Sequence, residues 1–212
     1  MTAGSSAFGG VPTRSRRYGG LPAHVNHKLT YLSTKIEPLA EAILARYACP
    51  DWLRTHSLLV GRIASVLAAS HTGISDPEAI ALGGYLHDIG RTPLMEGDGR
   101  DHGDLGALIL RAEGWPQCAE LARRHPVYAV LDPRTAPRTL EEKMVNLSDR
   151  RGGMRVMPID ERTTETARRH LDYAEQIERA RPIVRAMEAE VFAGIALAPD
   201  DLAAAGAERW PS

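Results

Sequence analysis

DPEAIALGGYLHDIGR, Asp76–Arg91, opens as a helix and ends on two side chains that make good metal ligands. Asp76 is a capping carboxylate, and Pro77 suits the first helical position, where its missing N–H costs nothing. The helix runs into Tyr85-Leu86-His87-Asp88, with Gly90 the expected C-terminal cap. Adjacent residues on a helix point about 100° apart, so His87 and Asp88 cannot share one face. His87 can reach one ion, while the neighbouring carboxylate has two oxygens, leaves the helix and can bridge to a second.

Helical patterns continue on both sides. A segment around 33–48 stops before Cys49-Pro50. Asp51 is the expected N-cap of the next helix, whose apolar face is Trp52, His56, Leu59, Ile63, Val66 and Leu67. Further helices are expected from about Asp104 to Glu113, closed by Gly114, and from Gln117 to Arg124, stopped by Pro126. TLEE at 139–142 is a capping box opening a helix through Leu147 and Asp149, broken by Gly152-Gly153. A long helix is expected from about Glu161, carrying Ala167, Leu171, Ala174 and Ile177, with Pro182 a kink or break. Strand-like alternation is scarce, so the expected class is all-α: a helical bundle with a metal site in its core.

The organisation follows. Residues 1–28 are Gly/Ser/Pro/Arg-rich and read as a flexible arm, 29–196 as one domain with a long C-terminal helical segment, and 197–212 as a frayed tail. In 212 residues, 43% hydrophobic and 25% charged side chains are values of a globular chain. A net charge of −1 argues against a nucleic-acid partner. Cys49 and Cys118 have no metal-ligand spacing and make no disulfide framework. No apolar run approaches a membrane span or follows Arg16-Arg17 as an export signal would require, so a cytoplasmic location is expected. The charged helix after 160 leaves room for a homo-oligomer.

Six residues could make one centre: His56, His87, Asp88, His102, His125 and Asp149. Taken singly, each has a structural explanation. His56 sits on an apolar stripe, Asp149 lies one turn after Val145, His102 is at a helix start, and His125 is at a helix end before Pro126. Together they offer nitrogen and hard oxygen donors without thiolate, which suits Fe or Mn first, then Co, Ni or Zn. Two divalent ions, two aspartates and a hydroxide sum to about +1, still attractive to a phosphate.

The order His56 … His87-Asp88 … Asp149 resembles the HD superfamily of metal-dependent phosphohydrolases. HDIGR followed by His102, His125 and TLEEKMVNLSDR is similar to the small stand-alone HDIG-type proteins, over about residues 50–155. The resemblance implies that His56, His87, Asp88 and Asp149 form a minimal one-metal set, to which His102 and His125 add ligands for a second ion. It implies hydrolysis of a phosphoester or phosphoanhydride, in a nucleotide or related small molecule, with Asp88 or Asp149 as proton acceptor. Two departures stand out: Arg91 occupies a position often held by Lys, and RRGGMR follows Asp149. Arg91 is the first candidate for phosphate binding, since a planar guanidinium matches phosphate bidentately. Arg124, Arg150, Arg151 and Arg155 are further candidates. The same ligand order also occurs in di-iron oxygenases that cleave C–C or C–P bonds, and a non-catalytic binding module is a third reading. His24, His27, His71 and His170 are assigned to the arm, a helix end and a solvent-facing helix.

Overall fold

The computed structural model describes residues 21–205. Helices form its framework: α1 (Ala23–Arg46), α2 (Asp51–Ser70), α3 (Pro77–Leu86), α4 (His102–Ala112), α5 (Pro116–Arg123), α6 (Leu140–Arg151), α7 (Ile159–Arg169), α8 (Ala174–Phe192) and the short α9 (Leu202–Ala205). Among the described residues β-pairing is confined to the isolated bridges His71–Ile195 and Gly152–Val156. The class is all-α, as expected.

α2 is the central helix and packs on α1, α3 and α6. Its Leu53, Val60, Ile63, Ala64 and Leu67 are wholly buried. Pro50, not Asp51, takes the N-cap position, and Asp51 is the first helical residue, where its charge favours the positive end of the helix dipole. Trp52 leaves the expected apolar face: it is 61% exposed and lines a cavity instead.

α3 begins as the sequence predicts, with the Asp76 side chain accepting from the Ala79 N–H at 2.9 Å and Pro77 in the first turn. It crosses α2 at small residues. A Cβ added at Gly61 would lie 2.0 Å from the Tyr85 ring, and one at Gly84 would lie 2.6 Å from Ala64 Cβ. Gly90 is not the cap. The chain leaves α3 through His87 and Asp88 into a 3-10 turn, Ile89–Arg91, and Gly90 sits in that turn without the positive φ of a glycine cap. Its role is contact: a Cβ there would stand 1.9 Å from the His102 carbonyl oxygen. Gly90 therefore admits the first turn of α4 against the His87-Asp88 corner.

α4 is capped by Asp101, whose side chain accepts from Gly103 N–H at 2.7 Å, and Gly114 follows it at φ +83. α6 opens with the expected capping box: Glu142 N–H donates to Thr139, and the Glu142 carboxylate accepts from Thr139 N–H.

Three boundaries differ from expectation. α1 starts at Ala23, inside the segment read as an arm, because Val25, Leu29, Leu32 and Ile36 already form a buried stripe. Residues 1–20 lie outside the described residues. The long C-terminal helix is two helices: the backbone leaves helical geometry at His170, and Leu171–Tyr173 makes a turn. The break lets α8 fold back on α7 and also pack on α6, burying Ile177, Ala180 and Val184; Leu171, expected inside, is exposed at the corner. Pro182 lies within α8 and does not end it. Beyond 197 the chain makes a turn at Pro199–Asp201, where the Pro199 carbonyl accepts from Arg151 at 2.6 Å, and Leu202 of α9 is wholly buried. Residues 206–212 lie outside the described residues.

Candidate metal centre

Five elements bring the six candidate residues together: His56 from α2, His87 and Asp88 at the end of α3, His102 at the start of α4, His125 just after α5, and Asp149 from α6. The imidazoles form a chain, with ring centroids 5.1 Å apart for His56–His87, 4.8 Å for His87–His125 and 5.0 Å for His102–His125.

Backbone contacts set the tautomers. His87 Nδ1 is 2.8 Å from the Gly84 carbonyl oxygen, and His125 Nδ1 is 2.6 Å from that of Ala122. A carbonyl only accepts, so each Nδ1 carries the proton and each Nε2 of the neutral ring presents a lone pair. Burial pushes the His87 imidazole down to about 3, so it is neutral at pH 7. Its Nε2 is buried and has no hydrogen-bond partner. An unpaired buried polar atom is costly, and a cation is the partner that a lone pair seeks. Burial, His125 and Arg91 together push His102 down to about 4, so it too is neutral. Burial opposes ionisation of both aspartates. The surrounding imidazoles and Arg91 at Asp88, and Arg150 and His56 at Asp149, nevertheless hold both carboxyls well below the ordinary carboxylate range.

Imidazole nitrogens thus face carboxylate oxygens. His56 Nε2 is 3.1 Å from Asp149 Oδ1, and His87 Nε2 is 3.8 Å from the same oxygen and 3.7 Å from Asp88 Oδ2. On the other side of Asp88, Oδ1 is 3.1 Å from His125 Nε2 and 3.4 Å from His102 Nε2, which are themselves 3.2 Å apart. Donors at tetrahedral angles on an ion with bonds of about 2.1 Å stand about 3.4 Å apart, so the spacing of this trio suits a common ion. Two overlapping groups can each hold a metal, His56/His87/Asp149 and His87/Asp88/His125. They share His87, which Asp88 Oδ2 faces, while Asp88 Oδ1 faces His125 and His102.

The supporting contacts are specific. Buried Asn146, one turn before Asp149 on α6, donates from Nδ2 to the carbonyls of Arg124 at 3.1 Å and His125 at 2.9 Å, fixing the backbone that carries His125. Tyr128 donates its hydroxyl proton to Asp101, the cap that precedes His102.

A cavity of about 690 Å³ opens onto the cluster and is lined by His56, Asp88, His102, His125 and Asp149. Arg91 and Arg150 line it too. Arg91 donates from Nε to Asp88 Oδ1 at 2.7 Å and lies 3.1 Å from His102 Nε2; Arg150 pairs with Asp149 Oδ2. Arg124, Arg151 and Arg155 do not belong to the cavity wall. Arg124 is buried and spends its guanidinium on Glu120 and on the carbonyls of Arg134 and Ala136. Arg151 is buried against Glu188, and Arg155 is exposed and paired with Glu161. Charge and sequence proximity to a ligand did not predict direction. Conversely, Arg100, Arg162, Arg169 and His170 line the cavity although nothing in their local sequence singles them out.

Residues 53–154 match the family described as the HD domain, and all six candidate ligands fall inside that span. The HD domain belongs to a superfamily of metal-dependent hydrolases, and its donor set here can hold divalent metal. An uncharacterized protein of Methanocaldococcus jannaschii is 36% identical over 115 residues, a match covering 48% of this chain and 66% of that protein. The chain therefore spans just under two thirds of that relative's length. No solved structure matches. Among the described residues no helix is long and apolar enough to cross a membrane.

Proposed function

We propose that this HD-domain protein is a metal-dependent phosphohydrolase that cleaves a phosphoester or phosphoanhydride of a nucleotide or related small molecule. One observation carries the reading: Asp88 presents Oδ2 to His87 and Oδ1 to His125 and His102, at the floor of an arginine-lined cavity. His56, His87, Asp149 and Asp88 Oδ2 would hold one ion, and Asp88 Oδ1, His102 and His125 a second. Divalent metals in such a site lower the pKa of water toward neutrality and offset charge on phosphoryl oxygens.

The protein's own side chains supply the rest. The Gly84 and Ala122 carbonyls keep the protons of His87 and His125 on Nδ1, so both Nε2 atoms stay available. Arg91 and Arg150 stand beside the two aspartates on the cavity wall, where a guanidinium can bind a phosphoryl oxygen. Asp88 and Asp149 are both candidate proton acceptors, and each has one oxygen engaged by an arginine of the cavity wall, Asp88 Oδ1 by Arg91 and Asp149 Oδ2 by Arg150.

The test is metal analysis of protein purified without oxygen, then a screen of nucleotides and phosphoesters with oxygen uptake recorded in parallel. Phosphate or nucleotide release under anaerobic, metal-replete conditions, abolished together with metal retention in Asp88→Ala, is expected. Oxygen consumption without phosphate release would replace the hydrolase by the oxygenase reading, and a fully active Asp88→Ala would end the bridging role.

A further inference from the structure

Part of the cavity wall is built by α7, beyond residue 154 where the HD match ends. Arg162, Thr166 and Arg169 all line the cavity. Their spacing of four and then three residues places them on one face of the helix. Resting on the phosphohydrolase reading, we propose that Arg162 and Arg169 form a second anion subsite, so that the substrate is an organic molecule with two phosphate groups, one at the metal centre and one on α7.

Charge accounting supports this. The carboxylates in the cavity wall are Asp88, Asp101 and Asp149. Asp88 and Asp149 belong to the donor groups, and Asp101 accepts from Tyr128 and Gly103. None is left to neutralise α7. Its two guanidiniums share a single carboxylate, Glu165, which accepts from Arg162 Nη1 at 3.1 Å and from Arg169 Nη2 and is not part of the cavity wall. Two guanidiniums offer about ten N–H donors, and these contacts use two of them. The remainder, with about one uncompensated positive charge, is what a phosphate binds.

Arg162 is the anchored member of the pair, whereas Arg169 is exposed. The Arg162 side chain is only 15% exposed. A Cβ at Gly153 would fall 3.4 Å from its Cδ and 3.1 Å from Glu165 Oε2, so the Gly152–Val156 loop packs against the ion pair. The same cavity offers surface for an organic moiety. Trp52, Met154 and Tyr173 line it and are exposed. A volume of about 690 Å³ is far more than one phosphate fills and is typical of sites for whole organic ligands.

The experiment uses the metal-loaded full chain and uncleavable phosphonate analogues of three probes: adenosine 5′-monophosphate, adenosine 5′-diphosphate and adenosine 3′,5′-bisphosphate. Calorimetry should show at least one two-phosphate analogue binding wild type about 10-fold or more tighter than the one-phosphate analogue, the effect of a single charge-assisted hydrogen bond. In Arg162→Gln/Arg169→Gln that ratio should fall to near one with metal content unchanged. No such ratio in wild type, or a ratio retained in the double variant, overturns the subsite. Should the double variant fail to fold, Glu165→Gln decides, because releasing both guanidiniums should raise the ratio and a fall would overturn the proposal. Phosphate release without a two-phosphate preference removes the subsite alone, and a preference without phosphate release removes the hydrolase reading alone.

Discussion

Gly90→Ala tests the contact that brings the second half of the candidate centre into place. The added carbon would lie 1.9 Å from the His102 carbonyl oxygen and 2.6 Å from Gly106 N, both backbone atoms of α4. Ordinary carbon–oxygen contact needs about 3.2 Å, so α4 would have to retreat by about 1.3 Å, comparable to displacements that cost an active site about 100-fold. His102 is the first residue of α4, and its Nε2 is 3.2 Å from His125 and 3.4 Å from Asp88, so a shift of that size breaks the trio. Overpacking of this kind costs about 1–3 kcal/mol. In a chain this long, each kcal/mol lowers Tm by about 2–4 °C, giving a loss of about 2–12 °C. Differential scanning calorimetry of the metal-free protein reads the stability, and elemental analysis after metal loading reads the centre. The variant should lose occupancy of the ion on the His102 side while the His56/His87/Asp149 group keeps its own. Gly114→Ala is the control: nothing lies within 4 Å of its new carbon, but φ is +83, so it should cost about 1 kcal/mol and leave metal content alone. A Gly90→Ala protein with wild-type Tm and metal content would refute the packing role.

Other outcomes follow from the same geometry. His102→Ala or His125→Ala should remove one ion from a two-ion protein and leave the circular dichroism spectrum unchanged; a single ion in metal-replete wild type would replace the two-metal form by a one-metal form. Arg91→Ala should weaken binding of inorganic phosphate more than binding of metal, and equal loss of both would mark a structural arginine. Glu37→Gln probes a separate, half-buried network, in which Glu37 accepts from Arg62 Nη2 at 2.7 Å and from the Tyr85 hydroxyl at 2.7 Å. Burial opposes ionisation of Glu37, yet these bonds hold its carboxyl below the ordinary value of 4.5. Its stabilisation is therefore complete above about pH 4.5 and lost as pH falls through the lower folded-state value. The variant should lose about 1–3 kcal/mol at pH 7 by denaturant unfolding. The deficit should close in acid, and a pH-independent deficit would assign the loss to packing instead.

The candidate metal donors were legible because their chemistry is written in residue type and local context. A histidine-aspartate pair at a helix end, the DHGD start and the TLEE box each announce an element boundary, and Asp76 and Thr139 cap as their sequences require. The arginines were not legible in this way. Arg124 and Arg150 both neighbour a candidate ligand, yet one is consumed by backbone carbonyls and the other faces the cavity. A long side chain's direction depends on what packs around it rather than on its place in the chain. Trp52 was misplaced for a related reason: helical spacing predicts a face but not where that face runs off the edge of the core.

By itself, the order of residues determined a helical chain, the caps at Asp76 and Thr139 and six candidate donors for metal, since these depend on interactions within a few residues. Only the tertiary structure decided that Asp88 directs one oxygen to each side, that the chain turns at His170, and that α7 brings Arg162 and Arg169 over the cavity. Those outcomes depend on helices far apart in sequence burying their faces against one another, and no local preference encodes which neighbour a side chain will meet.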